Sequence, residues 1–169
     1  MEYLQLTAAT AIKRLDEGER ILRLDGELKQ SEGRGRIGLK IPASTENMAL
    51  VAAFSARGAP VAVTAMFNLA QAYAACESGA TYLLPDINRM KRLRGDGVGF
   101  VKDLTRVCQA VGRGTEILAA RIKSPEEAVQ TLLVGAQHVS MPLLVLLALG
   151  YDPLSEQAVA EFARASSAT

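Results

Sequence analysis

Short apolar segments alternate with longer helical patterns along the whole chain. The predicted strands are residues 3–6, 37–41, 60–64, 82–84, 116–120 and 138–140. The predicted helices are residues 10–29, 45–54, 68–77, 100–112 and 124–135, with two more from about Pro142 and Ser155. Each strand-plus-helix unit takes roughly 20–30 residues, which is typical of parallel sheets with crossover helices. Two architectures fit this rhythm, a (β/α) barrel and an open doubly wound sheet.

Glycines mark several of the predicted boundaries. Gly33 and Gly35 are expected to break the first helix, and Gly95, Gly97 and Gly99 predict a flexible loop before the helix that starts at Phe100. No glycine-rich phosphate fingerprint follows the first strand, so the dinucleotide-binding form of the open sheet is disfavoured.

Composition restricts the class of protein. The chain has 169 residues, 49% hydrophobic and 22% charged, and residues 1–169 are expected to form a single domain. A net charge of +1 gives no electrostatic attraction to nucleic acid or to an anionic membrane. Polar residues interrupt the apolar start that a signal peptide would need, so no signal peptide is expected. The longest apolar run, residues 141–149, is too short to cross a bilayer. A cytoplasmic protein is therefore expected.

Few residues in this chain suit a metal or redox centre. Cys76 and Cys108 follow no metal-binding or redox spacing and are predicted to be reduced core residues. The single histidine, His138, excludes a multi-histidine metal site and is interpreted as structural. No metal or organic cofactor is expected.

Lys40 is the residue of greatest chemical interest. It lies among Ile37, Leu39 and Ile41 in a strand that Pro42 ends. Burial disfavours the charged form of a lysine and frees its lone pair to attack a carbonyl, as in Schiff-base enzymes. The alternative is a structural lysine whose ammonium reaches water at the end of the strand.

Further polar residues fall at predicted strand ends, where the chemistry of a barrel is found. They are Lys40, Thr64, Asp86, Asn88, Arg89, Arg121, Lys123 and Ser140. Their shared position favours a functional interpretation of Lys40.

Several segments resemble the transaldolase family, particularly its small members and the fructose-6-phosphate aldolases. The matching segments are residues 39–45, 63–67, 84–89, 118–125, 139–143 and 153–158, in that order. The resemblance implies a (β/α)8 TIM barrel in which Lys40 forms a Schiff base with a ketose phosphate and the imine itself serves as electron sink. Transfer of the resulting enamine to an aldehyde would be transaldolase chemistry, and its hydrolysis would be aldolase chemistry.

The resemblance also assigns roles to individual residues. Thr64 would hold the catalytic water, and Gln5 occupies a position where glutamine is aldolase-like. Arg89 and Lys123 match cationic positions that bind phosphate, and charge-assisted donors suit that ligand. Asn88, Arg121 and Ser140 are further substrate-binding candidates. For Arg89 the alternative is a solvated basic loop, which is the favoured interpretation of the neighbouring Lys91, Arg92 and Arg94.

The match also has departures. The family barrel begins with two strands that this chain lacks, so the expected fold is an incomplete barrel with six strands. The first of the two missing strands carries an aspartate that the family uses in proton transfer. Asp86 and Arg121 replace residues that are usual in the family. Asp86 is the candidate for proton transfer, and the alternative is that it caps a turn with Asn88.

The missing strands affect both assembly and activity. Six strands do not close a barrel of normal shear, so a homo-oligomer or a completing partner chain is expected. The favoured function is a transaldolase or aldolase of pentose phosphate metabolism. The alternatives are a catalytically impaired pseudoenzyme that acts through protein interaction and one piece of a split enzyme.

Overall fold

The computed structural model describes residues 2–32 and 37–166. Its strands are β1 Glu2–Gln5, β2 Ile37–Pro42, β3 Val61–Thr64, β4 Tyr82–Leu84, β5 Glu116–Ala119 and β6 His138–Val139. Its helices are α1 Ala11–Glu32, α2 Thr45–Ser55, α3 Leu69–Glu77, α4 Ile87–Arg94, α5 Gly97–Val111, α6 Pro125–Leu133, α7 Leu143–Ala148 and α8 Pro153–Ser166. The six predicted strands are confirmed, each within two residues of its expected bounds. The predicted break at Gly33 and Gly35 lies outside the described residues.

All strand pairs in the described part of the chain are parallel, and the strands follow one another in the order β1-β2-β3-β4-β5-β6. The sheet is curled, because the ring of Tyr3 on β1 reaches the ring of Tyr82 on β4 at 5.8 Å, and Tyr82 lies 5.4 Å from the ring of His138 on β6. A flat sheet would set β1 and β4 roughly 14 Å apart. The fold is an incomplete, TIM-barrel-like α/β half-barrel, as expected.

Successive side chains along each strand face opposite sides of this curled sheet. The convex side carries apolar residues that are fully buried under the helices: Leu39, Ile41, Val61, Val63, Leu83, Ile117 and Ala119. From the helices, Val51, Phe54, Ala75, Val101 and Leu104 pack against them in one hydrophobic core. The strands are therefore anchored from outside, and this leaves the concave side for polar groups.

The predicted flexible loop at Gly95, Gly97 and Gly99 is wrong, because helices α4 and α5 occupy most of this segment. The Asp86 side chain caps α4, and the Asp96 side chain caps α5 by accepting the N–H of Gly99 at 2.7 Å. Between the two helices Gly95 takes a left-handed conformation with φ +80°, which glycine adopts without a steric penalty. The glycines therefore form a sharp corner between two capped helices.

The two closing helices leave apolar side chains exposed. Neither α7 nor α8 contains a buried residue. Their exposed large apolar side chains include Leu144, Leu147, Leu154 and Phe162, each at least two-thirds accessible. These apolar side chains are left without cover by the described part of the chain.

Gly97 should be sensitive to substitution because of its close backbone contact at the α4–α5 corner. A Cβ there would lie 2.5 Å from the carbonyl oxygen of Ile87, which is backbone and has little freedom to move. We expect Gly97→Ala to lower the free energy of unfolding in urea by about 1–3 kcal/mol. The matched control is Gly26→Ala in α1, where a Cβ meets open space, and it should be neutral or stabilising by about 0.5–1 kcal/mol. Equal effects of the two substitutions would contradict this interpretation.

Candidate active site

The carboxyl ends of the strands surround a cavity of about 270 Å³. It is lined by Gln5, Lys40, Thr64, Ala65, Met66, Phe67, Leu84, Asp86, Arg89, Ala120 and Arg121. Six of these residues were singled out from the sequence, and the structure brings them together in one place. In parallel α/β folds this edge of the sheet is where active sites are built.

Lys40 faces the concave side from the carboxyl end of β2. It is paired in register with Gln5 on β1 and with Ala62 on β3, and its side chain is partly buried. The strand end is fixed because the buried side chain of Asn47 donates to the carbonyl of Pro42 at 2.8 Å. Among the described residues, no carboxylate lies within ion-pair distance of the Lys40 amine.

Thr64 ends β3 next to a strained turn. Its hydroxyl lies 3.5 Å from the carbonyl of Leu84, at the limit of a hydrogen bond. The next residue, Ala65, has φ +53°, and across the cavity Arg121 has φ +63°. Non-glycine residues seldom adopt this left-handed region, and each costs of order 1–3 kcal/mol. Backbone strain is thus stored on two sides of the same cavity.

Asp86 organises the cationic side of the cavity. Its Oδ2 accepts from Nε of Arg121 at 3.0 Å, and its Oδ1 accepts from the backbone N–H of Arg89 at 2.9 Å. The Arg89 guanidinium lies 5.6 Å from the centre of the Phe67 ring, within the range of a cation–π contact. Asp86 therefore caps a helix, and its carboxylate is engaged by Arg121. The capping alternative of the sequence analysis is realised at α4, and the proton-transfer role stays a prediction.

Two predicted residues line a second cavity. Asn88 and Lys123 border a space of about 470 Å³ between the α4–α5 corner and the start of α6. The same space is lined by Lys91, Asp96, Ser124, Glu126 and Glu127, so both signs of charge are present. The backbone N–H of Lys123 donates to the Glu127 carboxylate at 2.7 Å. Neither Asn88 nor Lys123 contributes to the wall of the Lys40 cavity.

Ser140 lies outside both cavities. It directly follows β6 and is exposed. Its backbone N–H donates a hydrogen bond to the carbonyl of Ala119 at 2.8 Å, which continues the pairing of β6 with β5. Its substrate-binding role stays a prediction. Five residues that line the Lys40 cavity were not singled out as site residues: Ala65, Met66, Phe67, Leu84 and Ala120. The signal available for the first three was their place directly after the predicted third strand.

Within residues 2–32 and 37–166, no cluster of three or more histidine, cysteine, aspartate or glutamate side chains could hold a metal ion. No helix in those residues is both long and apolar enough to cross a membrane.

Residues 3–169 match the family model described as transaldolase/fructose-6-phosphate aldolase. The chain belongs to this family. A probable transaldolase of Lactiplantibacillus plantarum is 33% identical over 145 residues, which cover 86% of this chain and 65% of that protein. A probable transaldolase of Sorangium cellulosum is 32% identical over 146 residues, which cover 86% and 67%. The chain thus spans about two thirds of the length of the curated relatives it matches.

Among solved structures, a mandelate oxidase superposes on this chain with a TM-score of 0.59 at 17% sequence identity. The superposition covers 88% of this chain and 52% of that one. At this identity the likeness concerns the fold alone. It supports the half-barrel architecture of the transaldolase-family chain.

The cap and the ion pair of Asp86 can be separated by substitution. We expect Asp86→Ala to lower the free energy of unfolding by about 1 kcal/mol, because α4 loses its N-cap. Asp86→Asn should cost less than about 0.5 kcal/mol, because asparagine caps equally well and the exposed Arg121 pair contributes little. Urea unfolding measures both, with Asp96→Ala at the start of α5 as a matched cap removal. If Asp86→Asn proves as costly as Asp86→Ala, the ion pair rather than the cap stabilises this corner.

Proposed function

We propose that this transaldolase-family chain forms a Schiff base between Lys40 and the ketone of a sugar phosphate, and that it cleaves or transfers the resulting three-carbon unit. The observation that carries the proposal is the position of Lys40. It lies on the concave face at a strand end, partly buried, beside Gln5 and Thr64 in a cavity with two arginines.

Lys40 is suited to nucleophilic attack because the nearby carboxylate is engaged elsewhere. A carboxylate close to a lysine favours the ammonium, which is not a nucleophile. Asp86 lines the same cavity but pairs with Arg121. The Asp86 carboxylate therefore forms its ion pair with Arg121 and not with Lys40.

The proposed chemistry follows from an amine and a ketose. The Lys40 amine adds to the C2 carbonyl, and loss of water gives a protonated imine. Removal of the C4 hydroxyl proton breaks the C3–C4 bond, and its electron pair passes into the imine to give an enamine and a free aldehyde. The enamine then either attacks a second aldehyde, which is transfer, or is protonated and hydrolysed to release dihydroxyacetone.

The other cavity residues take the supporting roles in this proposal. Thr64 positions the water that is lost and regained, and Gln5 lies directly across the register from Lys40. Asp86 exchanges the proton of the C4 hydroxyl. Because its Oδ2 is bonded to Arg121, this role requires Arg121 to swing away, and the Arg121 side chain is exposed enough to do so.

The phosphate of the substrate is proposed to bind Arg89 and Arg121. Arginine presents several donors in a fixed plane, which suits phosphate oxygens. Arg89 is held against Phe67 and its backbone is fixed by the Asp86 cap, so its guanidinium is partly pre-oriented. Lys123, Asn88 and Ser140 would serve a longer substrate or a second sugar, since they lie beyond the Lys40 cavity.

A homo-oligomer is proposed to complete the half-barrel. Among the described residues, β1 and β6 each have one neighbouring strand, and an open edge favours pairing with another chain. The exposed apolar side chains of α7 and α8 favour the same conclusion. Two proposals compete with this one: a separately encoded partner chain, and a pseudoenzyme role with no turnover. Labelling of Lys40 with the chain alone and after mixing with a second polypeptide separates them.

The proposed setting is carbohydrate metabolism in the cytoplasm, with pentose and hexose phosphates as the substrate class. The two cysteines are unpaired in the structure, as is usual in a reducing compartment.

Borohydride trapping tests the function. The protein is incubated with dihydroxyacetone or fructose 6-phosphate and reduced, and the modified peptide is mapped by mass spectrometry. We expect one adduct, on Lys40, because reduction converts the imine to a stable secondary amine. Lys40→Met should abolish it, and the control Lys102→Met, at an exposed position of α5, should retain it. Adducts spread over several surface lysines would argue against the proposal.

The same assay separates phosphate binding from imine formation. Arg89→Ala should weaken labelling by fructose 6-phosphate at least about 10-fold, because a charge-assisted contact is lost. Labelling by dihydroxyacetone, which has no phosphate, should change by less than about 2-fold. Equal losses with both compounds would assign Arg89 to the structure of the cavity.

The proposed assembly is tested by light scattering and by mixing. We expect the purified chain to be a dimer or larger at micromolar concentration, and Leu147→Glu together with Phe162→Glu to shift it toward monomer, because a charge on an apolar contact is costly to bury. A monomeric chain that unfolds cooperatively would contradict the oligomer. Labelling of Lys40 that appears only after a second polypeptide is added would identify a split enzyme.

A further inference from the structure

The two cysteines lie side by side in the helical layer, away from the Lys40 cavity. Cys76 is in α3 and Cys108 is in α5, and their sulfur atoms are 3.8 Å apart. The two helices pack against each other. A disulfide has a sulfur–sulfur distance of about 2.05 Å. The two sulfur atoms therefore have to move about 2 Å closer to each other to form one.

The pair is reachable from solvent on one side only. Cys76 is fully buried. Cys108 is half-buried and lines an open cleft of about 340 Å³, whose other walls include Thr105, Thr115 and Gln137. This cleft lies at the amino-terminal end of β5, since Glu116 and Ile117 also line it. It is therefore at the opposite edge of the sheet from the Lys40 cavity.

The contact also favours ionisation of one thiol. The pKa of Cys76 is lowered to about 7 because the Cys108 thiol donates a hydrogen bond to its sulfur, with a further contribution from Thr115. The pKa of Cys108 is raised by the same contact and by burial. The thiolate of the resting pair is therefore on Cys76, and Cys108, the sulfur that faces the cleft, keeps its proton.

We propose that Cys76 and Cys108 form an oxidation site, a dithiol that a hydroperoxide converts into an intramolecular disulfide. Cys108 passes its proton to the adjacent Cys76 sulfur as its own sulfur attacks one oxygen of hydrogen peroxide. The O–O bond breaks, Cys108 becomes a sulfenic acid, and the departing hydroxide takes a proton from solvent and leaves as water. The Cys76 thiol then attacks the sulfenic sulfur and gives its proton to the hydroxyl group, which leaves as a second water as the disulfide closes. Two thiols lose two electrons in all, and the peroxide gains them.

The disulfide would close a segment that supports the proposed active site. The two cysteines are 32 positions apart, and the chain between them includes β4, Asp86 and Arg89. Closing a loop of this length restricts the unfolded chain and ties α3 directly to α5. Oxidation at one edge of the sheet would thus stabilise the elements that hold the opposite edge.

Thiol counting on the wild-type chain tests this site without any substitution, because the sequence contains two cysteines. The native protein is treated with hydrogen peroxide, denatured, and titrated with a thiol reagent before and after dithiothreitol. We expect both thiols to disappear together, to return on reduction, and to be recovered in one cross-linked peptide from a single chain. The melting temperature should rise by about 5–10 °C on oxidation.

Several results would overturn the proposal: loss of neither thiol, sulfinic or sulfonic acid on Cys108 with Cys76 still reduced, or disulfides between two chains. Cys108→Ser is the control, since Cys76 should then resist peroxide because it has no access to solvent. If that variant does not fold, phenylarsine oxide, which bridges paired thiols, replaces it on the wild-type chain. It should protect both cysteines from the thiol reagent at one equivalent, and protection of neither would count against the site. The outcome does not depend on whether Lys40 forms an imine.

Discussion

The structure depends on the burial of one face of a parallel sheet. Residues at alternate strand positions, such as Leu39, Ile41 and Val63, are completely covered by helices. Because side chains alternate along a strand, their neighbours Lys40 and Thr64 must face the other side. The apolar residues therefore orient the polar ones, and a slip of one residue in register would exchange the two sets. In this chain, the placement of a partly buried amine follows from hydrophobic packing on the opposite face.

A second level of organisation lies in the turns after the strands. Ala65 directly follows β3, and Arg121 lies two residues after the end of β5. Both residues have positive φ and line the Lys40 cavity. Asp86, after β4, caps α4 and pairs with Arg121. One carboxylate thus connects the turn after β4 with the turn after β5. Such local strain persists only where surrounding contacts outweigh its cost, and here the buried core beneath the strands supplies them.

Much of this arrangement could be predicted from the sequence. Six apolar segments at regular spacing predicted the strands, and strand-end polar residues predicted the group around Lys40. The glycine loop was wrong because Gly95 was interpreted as flexibility, whereas the caps at Asp86 and Asp96 make it a helix–helix corner. The separation of Lys123 from Lys40 could not be predicted, because it depends on the curl of the sheet and on where α6 starts. The proximity of Cys76 to Cys108 depends on how α3 and α5 pack, which no spacing along the chain encodes.

The curl of the sheet also explains why a half-barrel can be a defined structure. On the concave side Tyr3 crosses above Gly38 to reach Tyr82, and a Cβ at Gly38 would lie 2.2 Å from the Tyr3 ring. Tyr82 contacts His138, whose Nε2 lies 2.8 Å from the Glu116 carboxylate. These side chains fill the amino-terminal half of the concave face, and burial raises the pKa of Tyr3 to about 12. The contacts among Tyr3, Tyr82 and His138 hold β1, β4 and β6 in one curled sheet. The Lys40 cavity at the carboxyl ends of the strands is therefore shaped by contacts made within this chain.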